Sequence, residues 1–293
     1  MATGQTPSGN LLPPIPQGLS MPFWYGSLQS FWLYYRVDPE VLRQRLPQLP
    51  GGEALHVAMF DFDGEHAGLA SVDLQIYTGH GPAYLEAVHE VEFNFYVYPQ
   101  ARVPEVPAMS WRDYVTGQDQ TKTIGGFRLH VPCDNPGAVA AGIALFGEPK
   151  FLAHFDYTVP GLNAPGVDTW SYKVLQDASG QPGPLIYGIT ADFRGLAPFP
   201  SDPSPLLEYG ILADHGVRRL VANEWSFYGP FDTYYLGGDA AQRIHLTYGD
   251  ATDPTGMLED LQLLLGNSAP IAAQIFASAP VSAENRGWYL VPK

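Results

Sequence analysis

The sequence predicts a strand-rich α+β fold, and three observations carry that expectation. Gly (31) and Pro (28) are abundant and set turn signals roughly every 8 to 15 residues, the spacing of short strands. The segments between those turns are rich in Val, Ile, Tyr, Phe, Trp and Thr, residues that suit a pleated, half-buried surface. Helical signals are few and short, and the βαβ alternation of a Rossmann fold is missing.

The elements follow in chain order. Residues 1–20 are Pro- and Gly-rich, lack a charged segment followed by an apolar one, and read as a mobile arm, not a signal peptide. Residues 21–293 read as a single domain, with no internal repeat and no long polar linker. Candidate strands are 30–36, 54–62, 70–77, 87–98, 125–131, 153–159, 169–175, 185–193, 218–227 and 243–248. In the fourth of these, Val91-Glu92-Phe93-Asn94-Phe95-Tyr96-Val97-Tyr98 alternates in part and should bury at least one face. Asp38-Pro39-Glu40 caps a first helix that Pro47 stops, and Asn135-Pro136 opens a second that ends at Gly147. A third runs from about Gly256 to Leu265, closed by Gly266, and 270–277 offers a fourth.

Composition excludes several functions. The formal net charge is -15, which repels phosphate backbones and anionic lipids, so neither nucleic acid nor membrane is expected as a partner. A small anionic substrate would need a local positive centre against this field. One cysteine, Cys133, allows no intramolecular disulfide and no cysteine-based zinc site, which fits a reducing, cytoplasmic location. No apolar run approaches about 18 residues, so no transmembrane helix is expected.

Known motifs are weak or absent. Gly79-His80-Gly81 lacks the third glycine of a dinucleotide loop, and Asp61-Phe62-Asp63-Gly64 lacks the later ligands of a calcium loop and reads as a turn. The histidines are scattered, with His89 beside Glu90 on a presumed strand, so no metal site is expected. The run from Trp225 to Phe231 reads as an aromatic strand pair in the core, and Arg36 as an ion-pair former at its helix corner.

Lysine is scarce: only Lys122, Lys150, Lys173 and Lys293 occur. Lys150 stands in the mostly apolar run Ile143-Ala144-Leu145-Phe146-Gly147-Glu148-Pro149-Lys150-Phe151-Leu152-Ala153. One reading is a side chain that snorkels to water. The other is a desolvated amine, whose burial disfavours the ammonium and leaves a neutral nucleophile able to attack a ketone.

At this point the chain resembles a known family. The segment from Asp134 through Asn135-Pro136 and Gly142 to Glu148-Pro149-Lys150-Phe151-Leu152-Ala153 looks like the signature of acetoacetate decarboxylases. There a short helix with a central Gly leads into an aromatic-Pro-Lys-Lys-Leu-Ala run. Tyr35-Arg36-Val37-Asp38-Pro39 and Gly81-Pro82-Ala83-Tyr84-Leu85-Glu86 resemble two further family segments, in the expected order. The resemblance covers roughly residues 21–157 and fades beyond them. It implies a conical β-barrel with a few covering helices, often oligomeric, so a homo-oligomer is expected. It also implies Lys150 as the Schiff-base residue and Glu86 as its catalytic partner, with Tyr84 nearby.

The departures from the family pattern fall on three positions. Phe151 replaces the second lysine, Glu148 replaces the aromatic before the Pro, and Leu28 falls where the family's substrate-carboxylate Arg stands. With Tyr84, these residues form the expected substrate-binding set. A carboxylate at Glu148 would raise the Lys150 pKa or serve as a general acid or base. Arg218 and Arg219 are candidates for a replacement carboxylate contact.

The function this resemblance implies is a Schiff-base lyase acting on a keto acid or related small carbonyl compound. Decarboxylation through a Lys150 imine is the family reaction, and aldol, retro-aldol or dehydration through the same imine is the alternative. No cofactor is expected, because the protonated imine is itself the electron sink. A non-catalytic protein that binds an apolar ligand in an aromatic pocket is the reading from a different class.

Overall fold

Strict side-chain alternation organises the main sheet. In a computed structural model describing residues 12–80, 87–161, 164, 166–214, 217–278 and 282–290, the strand Ala87–Pro99 points Val91, Phe93, Phe95 and Val97 into one apolar core. Glu90, Glu92, Asn94 and Tyr96 take the alternate positions and are buried too. The strand Glu65–His80 repeats the pattern: Val72 and Leu74 join the same core, while Ser71, Asp73, Gln75 and Tyr77 face the other way. Two neighbouring strands therefore send polar groups into one interior.

Strand pairing surrounds that interior. Phe23–Val37 pairs antiparallel with Glu65–His80, that strand with Ala87–Pro99, and that one with Gly125–Cys133. Gly125–Cys133 runs parallel to Leu206–Asp214, which pairs antiparallel with Val217–Phe227. Val217–Phe227 pairs with Ser282–Glu284, which returns to Phe23–Val37. The strand-rich α+β class and the conical barrel expected of it are both met.

A second sheet holds Lys150–Thr158, Thr169–Asp177, Pro182–Asp192 and Ile244–Tyr248. Lys150–Thr158 belongs to both sheets. Its first residues run parallel to Gly125–Cys133, with Val131 opposite Lys150, and from Ala153 onward it pairs antiparallel with Thr169–Asp177.

Local signals placed three helices. Asp38 accepts from the Glu40 amide at 2.8 Å and caps Pro39–Arg45. Asn135 accepts from the Gly137 and Ala138 amides and caps Pro136–Phe146. Met257–Leu264 is the third. The helix expected over 270–277 is instead the strand Ala272–Ser278, which pairs with Phe23–Val37 on one side and Phe231–Tyr235 on the other. Two partner strands outweigh the helix propensity of its alanines, and buried Gln274 accepts from Tyr34 Oη at 2.7 Å. The strand expected over 54–62 divides into Leu55–Val57 and Phe60–Phe62, which pair with different partners.

No described helix is long and apolar enough to cross a membrane. Arg286 Nε donates to the Pro13 carbonyl at 2.7 Å, and residues 1–11 of the expected arm lie outside the described residues.

The aromatic run 225–231 packs as expected. Trp225 is 2% exposed and lies 4.4 Å from Phe227 and 5.5 Å from Tyr25, ring centre to ring centre. Trp225→Ala is expected to lower the unfolding free energy by about 3–5 kcal/mol, measured by denaturant titration. A loss below about 1 kcal/mol would contradict this packing.

Candidate active site

The turn that delivers Lys150 depends on two glycines. Gly147 ends the helix Pro136–Phe146 in the left-handed region, φ 66°, and a Cβ there would lie 2.7 Å from the Ile211 backbone nitrogen. Gly142 leaves a bare spot on the same helix. A Cβ on it would overlap Glu148 Oε2 and lie 2.7 Å from Lys150 Cδ. Glu148 and Lys150 thus fold back across the helix where a side chain is missing, and this accounts for a glycine in mid-helix.

Lys150 Nζ meets two carboxylates, Glu90 Oε2 at 2.7 Å and Glu148 Oε2 at 2.8 Å. Tyr77 Oη donates to the same Glu90 oxygen at 2.9 Å. Next to this group the Arg128 side chain, 0% exposed, faces four carboxyl groups. They are Glu284 at 2.8 Å, Glu92 at 3.3 Å, Glu148 at 3.8 Å and Glu208. Its Nη1 donates to Asn223 Oδ1 at 3.2 Å. Asn94 Nδ2 extends the network by donating to Glu92 at 3.2 Å and Asp73 at 3.0 Å.

The amine reaches a recess walled by Phe23, Tyr25, Tyr77 and Phe146 and by the carboxyls of Glu90, Glu148 and Glu284. Its void is ≈ 300 Å³ counted out into solvent, and the room it leaves for the centres of water-sized molecules is ≈ 20 Å³, about the space one water needs. Glu90, Glu92 and Glu148 each bring an oxygen within 4.8 Å of the others, a spacing that suits a cation. Lys150 already faces two of the three.

The charge states correct one expectation. Burial alone would lower the Lys150 pKa, but Glu148 and Glu90 outweigh it and hold the group well above the ordinary lysine value. The amine at rest is therefore an ammonium, not the neutral nucleophile expected from its apolar sequence surroundings. Glu148 behaves as the sequence reading allowed: burial raises its pKa, Lys150 and Arg128 lower it more, and it stays a carboxylate. Burial pushes Glu90 up to about 7 despite Lys150, with Glu148 and Glu92 adding to the rise. Burial likewise pushes Glu284 up to about 8 against the pull of Arg128.

The predicted residues fare differently. Lys150 and Glu148 meet at the recess. Glu86 and Tyr84 lie outside the described residues. Phe151 is half-buried and packs against the main apolar core, away from the recess lining. Leu28 is buried in the aromatic cluster, opposite Tyr77 in the strand register, and also stays out of the lining. Arg218 lines a different cavity, and the Arg219 guanidinium sits 3.2 Å from the Tyr289 ring centre. Asp61 accepts from the Gly64 amide at 2.6 Å, the turn expected there.

Sequence reasoning missed Glu90, Glu92, Arg128, Glu208 and Glu284. A signal for the first two was present: polar residues at 90, 92 and 94 alternate with Val91, Phe93 and Phe95. His89, the neighbour of Glu90, points elsewhere, with Nδ1 2.5 Å from Asp134 Oδ2.

These shifts fix a pH dependence. Carboxyls whose folded pKa is raised make the native state bind more protons than the unfolded chain. Their stabilisation is complete below the unfolded value of 4.5 and is lost as pH rises through the folded values, about 7 for Glu90 and about 8 for Glu284. Unfolding free energy should fall between pH 5 and 8, by up to about 1.4 kcal/mol per pH unit for each group. Glu284→Gln should flatten that slope in denaturant titrations, and a slope that rises with pH would refute the assignment.

No protein-family model matches the chain, and no curated protein matches it. Solved structures do. The enduracididine biosynthesis enzyme MppR complexed with pyruvate superposes with a TM-score of 0.60 at 15% identity, covering 97% of this chain and 93% of that one. Acetoacetate decarboxylase from Legionella pneumophila gives a TM-score of 0.58 at 13% identity, covering 95% and 92%. An acetoacetate decarboxylase-like enzyme from Sphingomonas wittichii RW1 gives 0.58 at 15% identity, covering 93% and 94%. Together with the barrel and its polar interior, these likenesses identify the architecture: the chain has the acetoacetate decarboxylase-like fold.

Proposed function

We propose that the protein is an imine-forming enzyme that makes or breaks a bond next to the carbonyl of a small substrate, with Lys150 as the nucleophile. One observation carries this reading: a buried ammonium faces a recess between two carboxylates, one of which titrates near neutrality.

The steps balance. Glu90 accepts a proton from Lys150, and the freed amine adds to the carbonyl carbon to give a carbinolamine. Protonated Glu90 returns the proton to the carbinolamine hydroxyl, which leaves as water. The net change converts R–NH3+ and O=C into R–NH+=C and water. The iminium keeps the positive charge of the ammonium, so Glu90 and Glu148 face a cation before and after. Burying the charge therefore need not abolish the chemistry; it demands only a proton acceptor at the nitrogen, and Glu90 lies 2.7 Å away. The iminium then accepts the electron pair of a bond at the neighbouring carbon, and the resulting enamine is protonated and hydrolysed.

Among the reactions open to such an imine, the lining favours aldol, retro-aldol or dehydration over decarboxylation. A substrate carboxylate would have to lie among Glu90, Glu148 and Glu284, with Arg128 already facing four carboxyl groups. A structure of MppR holds a condensation product of pyruvate and imidazole 4-carboxaldehyde, so bond formation of this kind has a precedent on the fold. The apolar-ligand reading gains nothing from a recess that carries three carboxyls and an ammonium.

Incubation with a panel of small aldehydes and ketones plus cyanoborohydride is expected to add one reduced adduct per chain, mapped to Lys150 by mass spectrometry. Lys150→Ala should lose it, and Glu90→Gln should slow its formation by about 10²–10⁴-fold. An intact mass unchanged across the whole panel would sink the proposal.

A further inference from the structure

Resting on the Lys150 imine reading, we infer that the substrate carries, besides its carbonyl, a protonated nitrogen of the ammonium or guanidinium class.

The charges around the recess point that way. Five buried carboxyl groups, Glu90, Glu92, Glu148, Glu208 and Glu284, face two buried cations, Lys150 and Arg128. Among the described residues, Lys150 is the cation of the recess lining, and its charge persists in the iminium. Arg128 is enclosed by four carboxyl groups and Asn223, which occupy the faces it would turn to an anionic group. At position 28 the chain carries an apolar leucine in the aromatic cluster. Among the described residues a substrate carboxylate thus finds no free cation at the recess, whereas Glu284, which Arg128 meets through Oε1, also stands on the wall, where a second positive charge can reach it.

A second observation is independent of charge. Behind the recess lining and beyond Glu92, on the same inward face, Asn94 Oδ1 is a buried acceptor with no hydrogen-bond donor, in a residue 3% exposed. The Asn94 amide nitrogen already donates to Glu92 and Asp73, so its oxygen is left to accept. Buried acceptors of this kind call for an N–H or O–H donor. A cationic nitrogen supplies several at once and matches the carboxyl surplus. Without such a guest the surplus is carried by protons, in keeping with the raised pKa values of Glu90 and Glu284. The acidity of the whole chain, net charge -15, adds attraction for cations at longer range.

Three small methyl ketones separate the possibilities: aminoacetone, hydroxyacetone and acetoacetate, which are cationic, neutral and anionic at pH 7. Each is incubated with the full chain and cyanoborohydride, and the rate of adduct formation at Lys150 is divided by that of Nα-acetyllysine. Aminoacetone should exceed hydroxyacetone by about tenfold or more, with acetoacetate slowest. Glu284→Gln should lower the aminoacetone-to-hydroxyacetone ratio; should that variant not fold, the wild-type ratio decides alone. Adducts that form without preference for aminoacetone overturn the charge inference and leave the imine reading standing. Absence of an adduct from all three ketones overturns the imine reading itself.

Discussion

The barrel interior depends on the balance between two cations and the carboxyls that surround them. A charge removed from water is costly unless it is paired and hydrogen-bonded, and deleting one partner leaves the other stranded. Arg128 and Lys150 are held by groups from several strands: Glu90 and Glu92 from Ala87–Pro99, Glu208 from Leu206–Asp214, and Glu284 from Ser282–Glu284. Each strand must keep its register, because a slip of one residue would send its carboxyl to the opposite face. The same balance governs the chemistry. The lysine enters the reaction charged and remains charged as the iminium, so the environment that holds the resting state also suits the intermediate.

Short-range rules made part of this legible from sequence. The caps at Asp38 and Asn135, the stop at Gly147 and the strand-rich pattern all act within a few residues. Lys150 stood out because lysine is rare in the chain and its neighbours are apolar. The partners of Lys150 were harder to find. Glu148 is two residues away, but Glu90 reaches the amine only through the pairing of Ala87–Pro99 with Gly125–Cys133 and of Gly125–Cys133 with Lys150–Thr158. Nothing near Glu90 in the sequence announces that meeting. The alternation at 90, 92 and 94 marks an inward polar face, yet which cations that face meets is set by topology.

Two of the departures from the sequence reading have related causes. The segment after Pro270 contains several alanines and reads as a helix in isolation; as the strand Ala272–Ser278 it lies between two partners that supply its backbone hydrogen bonds. The Lys150 amine looked neutral because its sequence neighbours are apolar, while its spatial neighbours are carboxylates. In both cases contacts distant along the chain overruled the local signal.

The complete enclosure of Arg128 has a consequence for how the molecule responds to dissolved salt. Counterions screen charges that water reaches and have little access to those sealed inside. Raising the ionic strength weakens the far-reaching field of the acidic exterior, while the pairings within the barrel keep theirs. Capture of a charged molecule from solution and its sorting at the amine thus respond to different media, the first to the electrolyte and the second to the protein interior alone.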